Sequence, residues 1–401
     1  MKILSVNAGS SSLKFTAFEM PEEKVLISGY LERVGIGGSF YTIKMNGGKK
    51  RIERDIKDHK EAFEIVLNEL IENSIVQDLS EIKAVGHRIV HGGEYFSESV
   101  VATDDVVEKI AGISNLAPLH NPPAVEGIYA AKEVIPNATH VVVFDTAFHQ
   151  TMAEETYLYA LPKKWYQDYK VRRYGAHGTS HKYIAETAAK MLNRNDLKLI
   201  VCHLGSGASI SAIDSGKCIN TSMGFTPNAG LIMGTRCGDI DATILPYIME
   251  QTGLTTSELN NILNKESGIL AISEEFSDMR DIYDRVKNED AIEEKSLLAF
   301  KMYVRRVVDY IAKYYFELKG CDAIVFTAGV GENGAFERKK ILEELGFLGV
   351  KINYEFNEEI ASYHDIHEGK ITTDDSTIQA FVIPTNEELM IARDANLLAS
   401  K

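Results

Sequence analysis

Cysteine is scarce in this sequence and poorly placed for cross-linking: Cys202, Cys218, Cys237 and Cys321 are the four present, with no CxxC spacing among them. That argues against a disulfide framework and for reduced thiols. Positive charge is also in deficit, 43 Lys and Arg against 58 Asp and Glu, for a net charge of -15. Nucleic acid and anionic membrane both recruit basic surfaces, so neither is expected as a partner. No apolar run approaches the ~20 residues of a membrane span. No basic stretch followed by an apolar one opens the chain, no low-complexity segment interrupts it, and a cytoplasmic protein is expected. An acidic protein that binds anions has to gather its cations locally, so each cluster of Arg, Lys and His carries information.

What is present is an ordinary globular composition, 45% apolar over 401 residues, too long for one typical core. Two domains are the default. The chain opens on Lys2-Ile-Leu-Ser-Val-Asn7-Ala-Gly9-Ser10-Ser11-Ser12-Leu-Lys14-Phe15. Ile3, Leu4 and Val6 read as a buried strand and Leu13 to Phe18 as a second, joined by a turn that has Gly9 for backbone freedom and serines for donors. Such a concavity suits an oxyanion; Lys14 adds a point charge, and Asn7 offers an uncharged oxygen to a hydrated metal ion. A plain polar Gly/Ser hairpin would look the same.

Further antiparallel strands are expected at Val25 to Leu31 and on both sides of Asn46-Gly47-Gly48, where Asn-Gly marks a turn. Asp58 caps a helical pattern that sets Ala62, Phe63, Val66, Leu67, Leu70 and Ile71 on one face. The strand from Ile82 ends in the polar run His87-Arg88-Ile-Val90-His91, and the strand His140 to Phe144 ends in Asp145. Polar residues at the carboxyl ends of buried strands stand where α/β sheets bind ligands. Between them, Ala117-Pro118-Leu119-His120-Asn121-Pro122-Pro123 is a stiff entry to a helix.

Residues near 150 to 170 read as a crossing between domains. His177-Gly-Thr179-Ser180-His181 then opens a helix to about Asn193, with Thr179 or Ser180 as its cap, and two histidines at its amino end favour an anion. Leu197 to Ile210 repeats the opening device, apolar strand, Gly205-Ser206-Gly207 turn, apolar strand, with Gly205 laid on Gly9 and Ser206 on Ser10. Two such turns could pinch a polyphosphate between domains. The Gly-rich stretch Thr221 to Asp241 has no period and carries Arg236 in its middle. Helical patterns fill roughly 241 to 319, broken at Ser277-Asp278-Met279-Arg280. The apolar strand Ala323 to Phe326 leads into Gly329-Val330-Gly331-Glu332-Asn333 and a helix, an order that α/β proteins use for nucleotides. A last strand, Ile378 to Ile383, precedes Pro384-Thr385-Asn386-Glu387 and a terminal helix.

Taken together, Asn7 to Lys14, His87 to Gly93, Ala117 to Pro123, Phe144 to His149, His177 to His181, Met233 to Asp241, Phe326 to Asn333 and Pro384 to Leu389 resemble, in order and across nearly the whole chain, the motifs of the acetate kinase family. The resemblance implies an α/β fold of two related βββαβαβα domains, ribonuclease H-like as in actin-like ATPases, with the active site in the cleft between them. It implies a homodimer that transfers the γ-phosphoryl of ATP to acetate with Mg²⁺ or Mn²⁺, giving acetyl phosphate and ADP, and a propionate or other short-chain fatty acid kinase is the alternative. Residues 1–150 with 384–401 are expected as the lobe for the acyl substrate, and 151–383 as the lobe for the nucleotide.

The roles carried over by resemblance are these. Asn7 and Glu387 contact the metal. Ser10, Ser12 and Lys14 contact phosphate, as does the second loop, His203, Leu204, Gly205, Ser206 and Gly207. Asp278, Met279, Arg280 and Gly329 to Asn333 hold the nucleotide, and the open space at Gly329 to Gly331 favours ATP over pyrophosphate. Arg88 binds the substrate carboxylate, with Val90, Leu119 and Pro227 walling the acyl pocket. His177 and Arg236 stabilise the transition state, His120 supports phosphoryl oxygens, and Asp145 is the family's proton donor or acceptor. Acetate, with a carboxyl pKa near ~4, is already ionised at neutral pH. Asp145 is therefore expected to orient Arg88 or a metal-bound water. His87, His91, His149 and His181 are expected to hold loops, and Cys202 and Cys237 to pack; the histidine pairs, with Asp145 and His149, lack the HExxH form of a metallohydrolase. Two positions depart from the family pattern: Ser206 replaces the usual asparagine, and Ala176 replaces an aromatic residue, which would enlarge the acyl pocket.

Overall fold

A computed structural model describes residues 1–287, 292–361 and 364–401. Residues 288–291, inside the stretch expected to be helical, lie outside the described residues. The chain forms two compact units, Met1–Gln150 with Asn386–Lys401, and Thr151–Thr385. Pro384 and Thr385 fall in the second unit.

In the first unit, β1 (Lys2–Gly9), β2 (Ser12–Glu19), β3 (Lys24–Glu32), β4 (Phe40–Met45), β5 (Gly48–Glu53), β6 (Ile82–Ile89), β7 (Val100–Val101) and β8 (Thr139–Phe144) make one sheet in the order β5-β4-β3-β2-β1-β6-β8-β7. β1 to β5 pair antiparallel, whereas β6 lies parallel to both β1 and β8. The central strands read as nearly continuous apolar runs because both faces of the sheet are covered; Ile3, Leu4, Val6, Val85, Val141 and Val142 are buried. Asn46 and Gly47 both take positive φ, 50° and 75°, as the β4–β5 hairpin requires. Asp58 caps the helix His59–Glu72 by accepting from the Glu61 backbone N–H, and Ala62, Phe63, Val66, Leu67 and Leu70 are buried. Ile71 leaves the face expected of it and is exposed, since it sits at the edge of the stripe one residue after Leu70.

In the second unit, β9 (Lys198–Leu204), β10 (Ala208–Asp214), β11 (Lys217–Thr221), β12 (Ala323–Thr327), β13 (Gly369–Lys370) and β14 (Gln379–Val382) are ordered β11-β10-β9-β12-β14-β13. This matches β3-β2-β1-β6-β8-β7 strand for strand: three antiparallel strands, two parallel ones, and a short antiparallel strand at the edge. The brief likeness of the two Gly/Ser turns thus marks a duplicated topology, with β4 and β5 added to the first copy.

Two close approaches fix where site residues stand. A Cβ on Gly86 of β6 would lie 2.5 Å from Ile391 Cγ2, so the glycine lets the helix Glu387–Ala399 settle on the sheet and places Glu387 at its amino end. A Cβ on Gly127 would lie 2.8 Å from Ala8 Cβ, so the helix Asn121–Val134 lies against β1 just before its turn.

Candidate active site

In the first unit, residues from separate stretches of the chain line one concavity of about 620 Å³: Asn7, Ser12 and Lys14 from the β1–β2 hairpin, Arg88 and Val90 from the end of β6, and His120. His120 is the residue just before the helix Asn121–Val134. Ser10 does not line this space, and Leu119 is exposed. Tyr30 and Glu32 of β3 join the lining and were not expected. The turn itself is anchored from outside the hairpin, because the His59 Nε2–H donates to the Gly9 carbonyl at 2.7 Å.

Charge in this concavity is balanced by the protein's own groups. Asp145, buried after β8, accepts from Arg88 through Nε at 3.1 Å and Nη2 at 2.6 Å, a two-pronged pair that leaves the Nη1 edge of the fork turned away from it. Asp145 lifts the Arg88 pKa further above its usual value. Lys14 is ion-paired with Glu388. Burial pushes Glu387 up to about 7, with Asp145 and Glu388 adding to the rise and Arg88 and Lys14 opposing it.

In the second unit a cavity of about 730 Å³ gathers Gly205 and Ser206 of the β9–β10 turn, Asp278, Met279 and Arg280, and Gly329, Val330 and Asn333. Its size lies within the range of nucleotide and cofactor pockets. Asp278 caps the helix Met279–Val286, accepting from the Arg280 backbone at 2.9 Å, and also grips the Arg280 guanidinium at 2.6 Å. Ala328 begins the short helix Ala328–Asn333 at φ 64°, and the Glu332 carboxylate secures that bend by accepting from the Ala328 and Thr385 backbones at 2.8 and 3.1 Å. The Glu332 side chain therefore shapes the loop. His203, Leu204, Gly331 and Gly207 do not line the cavity; Leu204 and Gly331 are buried beneath it.

Beside the β9–β10 turn, two further side chains converge. Both come close to Gly207: a Cβ there would lie 3.3 Å from Arg236 Nη1, a tight approach, and 3.7 Å from His177 Nε2, an ordinary contact. The cation and the imidazole thus meet over the same backbone. His177 sits at φ 58° immediately before the helix Gly178–Leu192. Thr179 and Ser180, expected as caps, lie inside that helix and are buried. Ser180 Oγ is instead hydrogen-bonded to His203 Nδ1 at 2.8 Å and to Thr385 Oγ1 at 2.7 Å. Ser209 Oγ bridges His177 Nδ1 and His181 Nε2 at 2.9 and 2.8 Å, and the His177 ring stacks on His203 with centroids 4.0 Å apart. This leaves Nε2 as the His177 nitrogen on the Gly207 side.

Arg236 is held by neutral acceptors, the Pro227 carbonyl at 3.2 Å and Met233 Sδ at 3.7 Å. Burial lowers its pKa, and no carboxylate among the described residues acts on it. Such a cation is available to an incoming anion.

The model of the acetokinase family matches residues 2–393. The chain belongs to the acetokinase family. It is 51% identical over 400 residues to the acetate kinase of Bacillus subtilis, covering 99% of each chain. Among solved structures it is similar to the acetate kinase of Porphyromonas gingivalis, at 41% identity with a TM-score of 0.93 and 99% of each chain covered. It is similar also to a propionate kinase of Francisella tularensis, at 40% identity with a TM-score of 0.91 and the same coverage. The two-sheet α/β architecture expected from sequence is that of the acetokinase structures, and the chain is a kinase.

Against the acetokinase pattern, the two departures stand as follows. Ser206 is exposed on the rim of the larger cavity, its carbonyl accepting from the Gly234 backbone at 3.1 Å. Ala176 is buried within the apolar core of the second unit. His87 is stacked on His140 in the interior and donates to it at 3.1 Å, a structural role. Cys202 is buried and its thiol pushed up by burial, whereas Cys237 is half-buried and bonds weakly to Asn228. Tyr303, Phe336 and Glu337 line the larger cavity and carried no sequence signal beyond their place in helices.

Proposed function

We propose that the protein reversibly transfers the γ-phosphoryl group of ATP to acetate, giving acetyl phosphate and ADP. The observation that carries this reading is the convergence of Arg236 Nη1 and His177 Nε2 over Gly207, beside a Gly/Ser turn that opens onto a nucleotide-sized cavity. An acetate oxygen attacks the γ-phosphorus, the bond to the ADP oxygen breaks, and ADP leaves. One anion has to approach another. Two like charges ~4 Å apart repel by about 4 kcal/mol at an effective dielectric near 20. Cations and donors fixed in advance around the transferring group remove that cost.

In this reading Arg88 takes the carboxylate of acetate on its Nη1 edge, Asp145 orients Arg88, and Val90, Leu119 and Pro227 are the residues assigned to the methyl group by the family likeness. His120 supports phosphoryl oxygens, and His177 and Arg236 stabilise the transferring group. Ser10, Ser12 and Lys14 steady phosphate from the first unit, His203 to Gly207 from the second. Asp278 to Arg280 and Gly329 to Asn333 hold the nucleoside. The first unit thus serves the acyl substrate and the second the nucleotide.

Mg²⁺ fits the donors present, and Mn²⁺ would use the same ones. No three of the described His, Cys, Asp and Glu side chains come together as ligands, but Mg²⁺ needs only one or two carboxylates and leaves the rest to phosphate and water. Glu387, raised to about 7 by burial among Asp145 and Glu388, is a carboxyl that a nearby cation would return to its ionised form. Asn7 and Glu387 would hold the ion, which when bound offsets phosphoryl charge. A cytoplasmic homodimer completes the reading. It is supported by the family likeness, by the lack among described residues of any helix long and apolar enough to cross a membrane, and by the exposed apolar side chains Ile240, Ile244 and Tyr247.

Hydroxylamine trapping of acyl phosphate with Mg²⁺-ATP tests this directly. Acetyl hydroxamate is expected, and absence of acyl hydroxamate with every short carboxylate would refute the reading. Propionate as preferred substrate is the second reading, favoured by the likeness to a propionate kinase; the same assay across chain lengths separates the two.

A further inference from the structure

A buried carboxyl lines the larger cavity with no role yet assigned to it. Glu337 lies in the helix Ala335–Glu343, is only 4% exposed, and lines the same space as Asp278, Arg280 and Gly329. Its Oε2 comes within 2.5 Å of where a Cβ on Gly334 would stand, so the absence of a side chain at Gly334 is what lets the carboxyl reach the wall. Tyr303, 1% exposed and on the helix Glu294–Glu317, lines the cavity too, and its hydroxyl has no hydrogen-bond partner among the described residues. The charge of Glu337 acts on that hydroxyl. The Glu337 carboxyl accepts from its own backbone N–H near the start of its helix, whereas the Tyr303 hydroxyl is unpartnered; the two buried groups stand together in a space lined by residues expected to hold a nucleoside. Buried polar groups without partners are costly and are kept where a ligand completes them.

We propose that Glu337 reads the nucleotide base in this cavity, its carboxyl pairing with the adjacent donor and acceptor on the edge of adenine, and that the Tyr303 hydroxyl supplies a further contact. The inference rests on the nucleotide reading of the cavity given above. A neutral carboxyl presents one O–H donor and one carbonyl acceptor, the complement of adenine's N6–H beside N1 or N7. An ionised carboxylate presents acceptors alone and suits the N1–H and N2–H donors of guanine instead. Protonation of this one group would then bias the choice between the two purines.

The surroundings bring both forms of the carboxyl within reach near neutral pH. Burial pushes the Glu337 carboxyl up to about 7; the hydrogen bond from its own backbone N–H and the charge of Arg338 oppose the rise, and Glu358 adds to it. The Arg338 guanidinium is committed elsewhere, donating to the Gly331 and Glu332 carbonyls at 2.9 Å each and to Asn357 Oδ1 at 2.9 Å. The other titratable groups facing the cavity are Asp278 and Arg280, already paired with each other, and Tyr283 and Tyr303.

The test is acetate phosphorylation by the full chain with ATP and with GTP, from about pH 5.5 to about 8.5, read as the ratio of the two kcat/KM values. Taking the ratio cancels every pH effect common to both nucleotides. The wild-type ratio is expected to fall about tenfold across that range, the scale of one hydrogen bond exchanged for an unpaired buried group, mainly through the KM for nucleotide. Glu337→Gln, whose amide keeps one donor and one acceptor, is expected to prefer ATP at every pH. Glu337→Leu is expected to lose about tenfold of the preference at low pH and to show no slope. A flat wild-type ratio, which needs no variant to fold, or an unchanged ratio in Glu337→Leu with ATP turnover intact, overturns the inference while the nucleotide reading stands. If calorimetry finds no binding of ATP to the wild-type protein, that reading falls and takes the inference with it.

Discussion

Two arginines, one in each unit, are held in opposite ways. Arg88 is gripped by a buried carboxylate through two prongs, and the Lys14 beside the same hairpin is also paired, with Glu388. Arg236 rests on a carbonyl and a thioether, and burial alone acts on its pKa, downward. The first arrangement costs little when empty, because each cation brings its own anion. It fixes the direction of the Arg88 fork, which is what catching a stable, planar carboxylate requires. The second leaves a partly buried charge uncompensated, an expensive state unless an anion arrives to share it. The difference separates recognition of a ground-state anion from stabilisation of one that exists in full only during transfer.

If that division is right, the largest loss follows from Arg236. Arg236→Ala is expected to lower kcat by roughly 10²- to 10³-fold, the scale of one preorganised donor removed from a developing charge, with a much smaller change in the KM for acetate. Arg236→Lys is expected to recover little, since a point charge on a longer-hydrated head does not reproduce the fork. A kcat within about tenfold of wild type in the alanine variant would dissolve the contrast between the two arginines.

Arg88→Ala is expected to act on the other parameter, raising the KM for acetate by about 10- to 100-fold with kcat less affected. Asp145→Asn is expected to reproduce part of that rise, because the fork then loses the acceptor that aims it. Should Arg88→Ala instead lower kcat and kcat/KM equally, both arginines serve the transition state, and the pairing of Arg88 with Asp145 has some other purpose. Asp145→Asn with acetate kinetics like wild type would remove the carboxylate from the account altogether.

What could be read from the chain beforehand follows the range of the forces involved. The strands and the two Gly/Ser turns are legible, because short apolar runs and a glycine between them are local signals, and β1–β2 and β9–β10 lie where those signals put them. The duplicated sheet was visible only as a short likeness, since topology is preserved by burial pattern and not by residue identity. The helix start at His177 was misread: Ser and Thr are favoured caps in general, but here Ser180 is tied to His203 and Thr385, partners far away in the chain. The role of Arg236 comes from family resemblance alone, as nothing local distinguishes an arginine in a Gly-rich loop, whereas His177 at the amino end of a helix is a local sign of an anion site. Their meeting over Gly207 is a three-dimensional fact. Glu337 and His59 escaped notice for the same reason, each looking like one more polar residue on a helix.

A smaller effect is expected at Ala176, which tests how far the second unit shapes acyl choice. The residue is buried in the core cluster of that unit. Ala176→Phe is expected to lower kcat/KM for propionate relative to acetate by about tenfold, since one methylene is worth ~1 to 3 kcal/mol in such discrimination. Wild-type turnover of propionate more than about a thousandfold below acetate would mean that another side chain already fills the space.

The smallest effect concerns the anchoring of the first turn. The His59 Nε2–H bond to the Gly9 carbonyl joins the start of the helix His59–Glu72 to the hairpin that carries Ser10, Ser12 and Lys14. Among the described residues no side chain ties the β9–β10 turn in this way; the Gly205 N–H donates to the Gly207 carbonyl at 3.2 Å within it, and the Gly234 backbone donates to the Ser206 carbonyl at 3.1 Å from outside. The first turn thus depends on a side chain where the second relies on backbone. His59→Ala is expected to raise the KM for ATP about three- to tenfold, the worth of one hydrogen bond, with kcat for the bound complex little changed. His59→Gln, which keeps a side-chain N–H, is expected to restore part of it. A merely structural histidine would lower the melting temperature in both variants and leave KM where it was; that outcome would show the turn to be set by its own residues, as its counterpart in the second unit is.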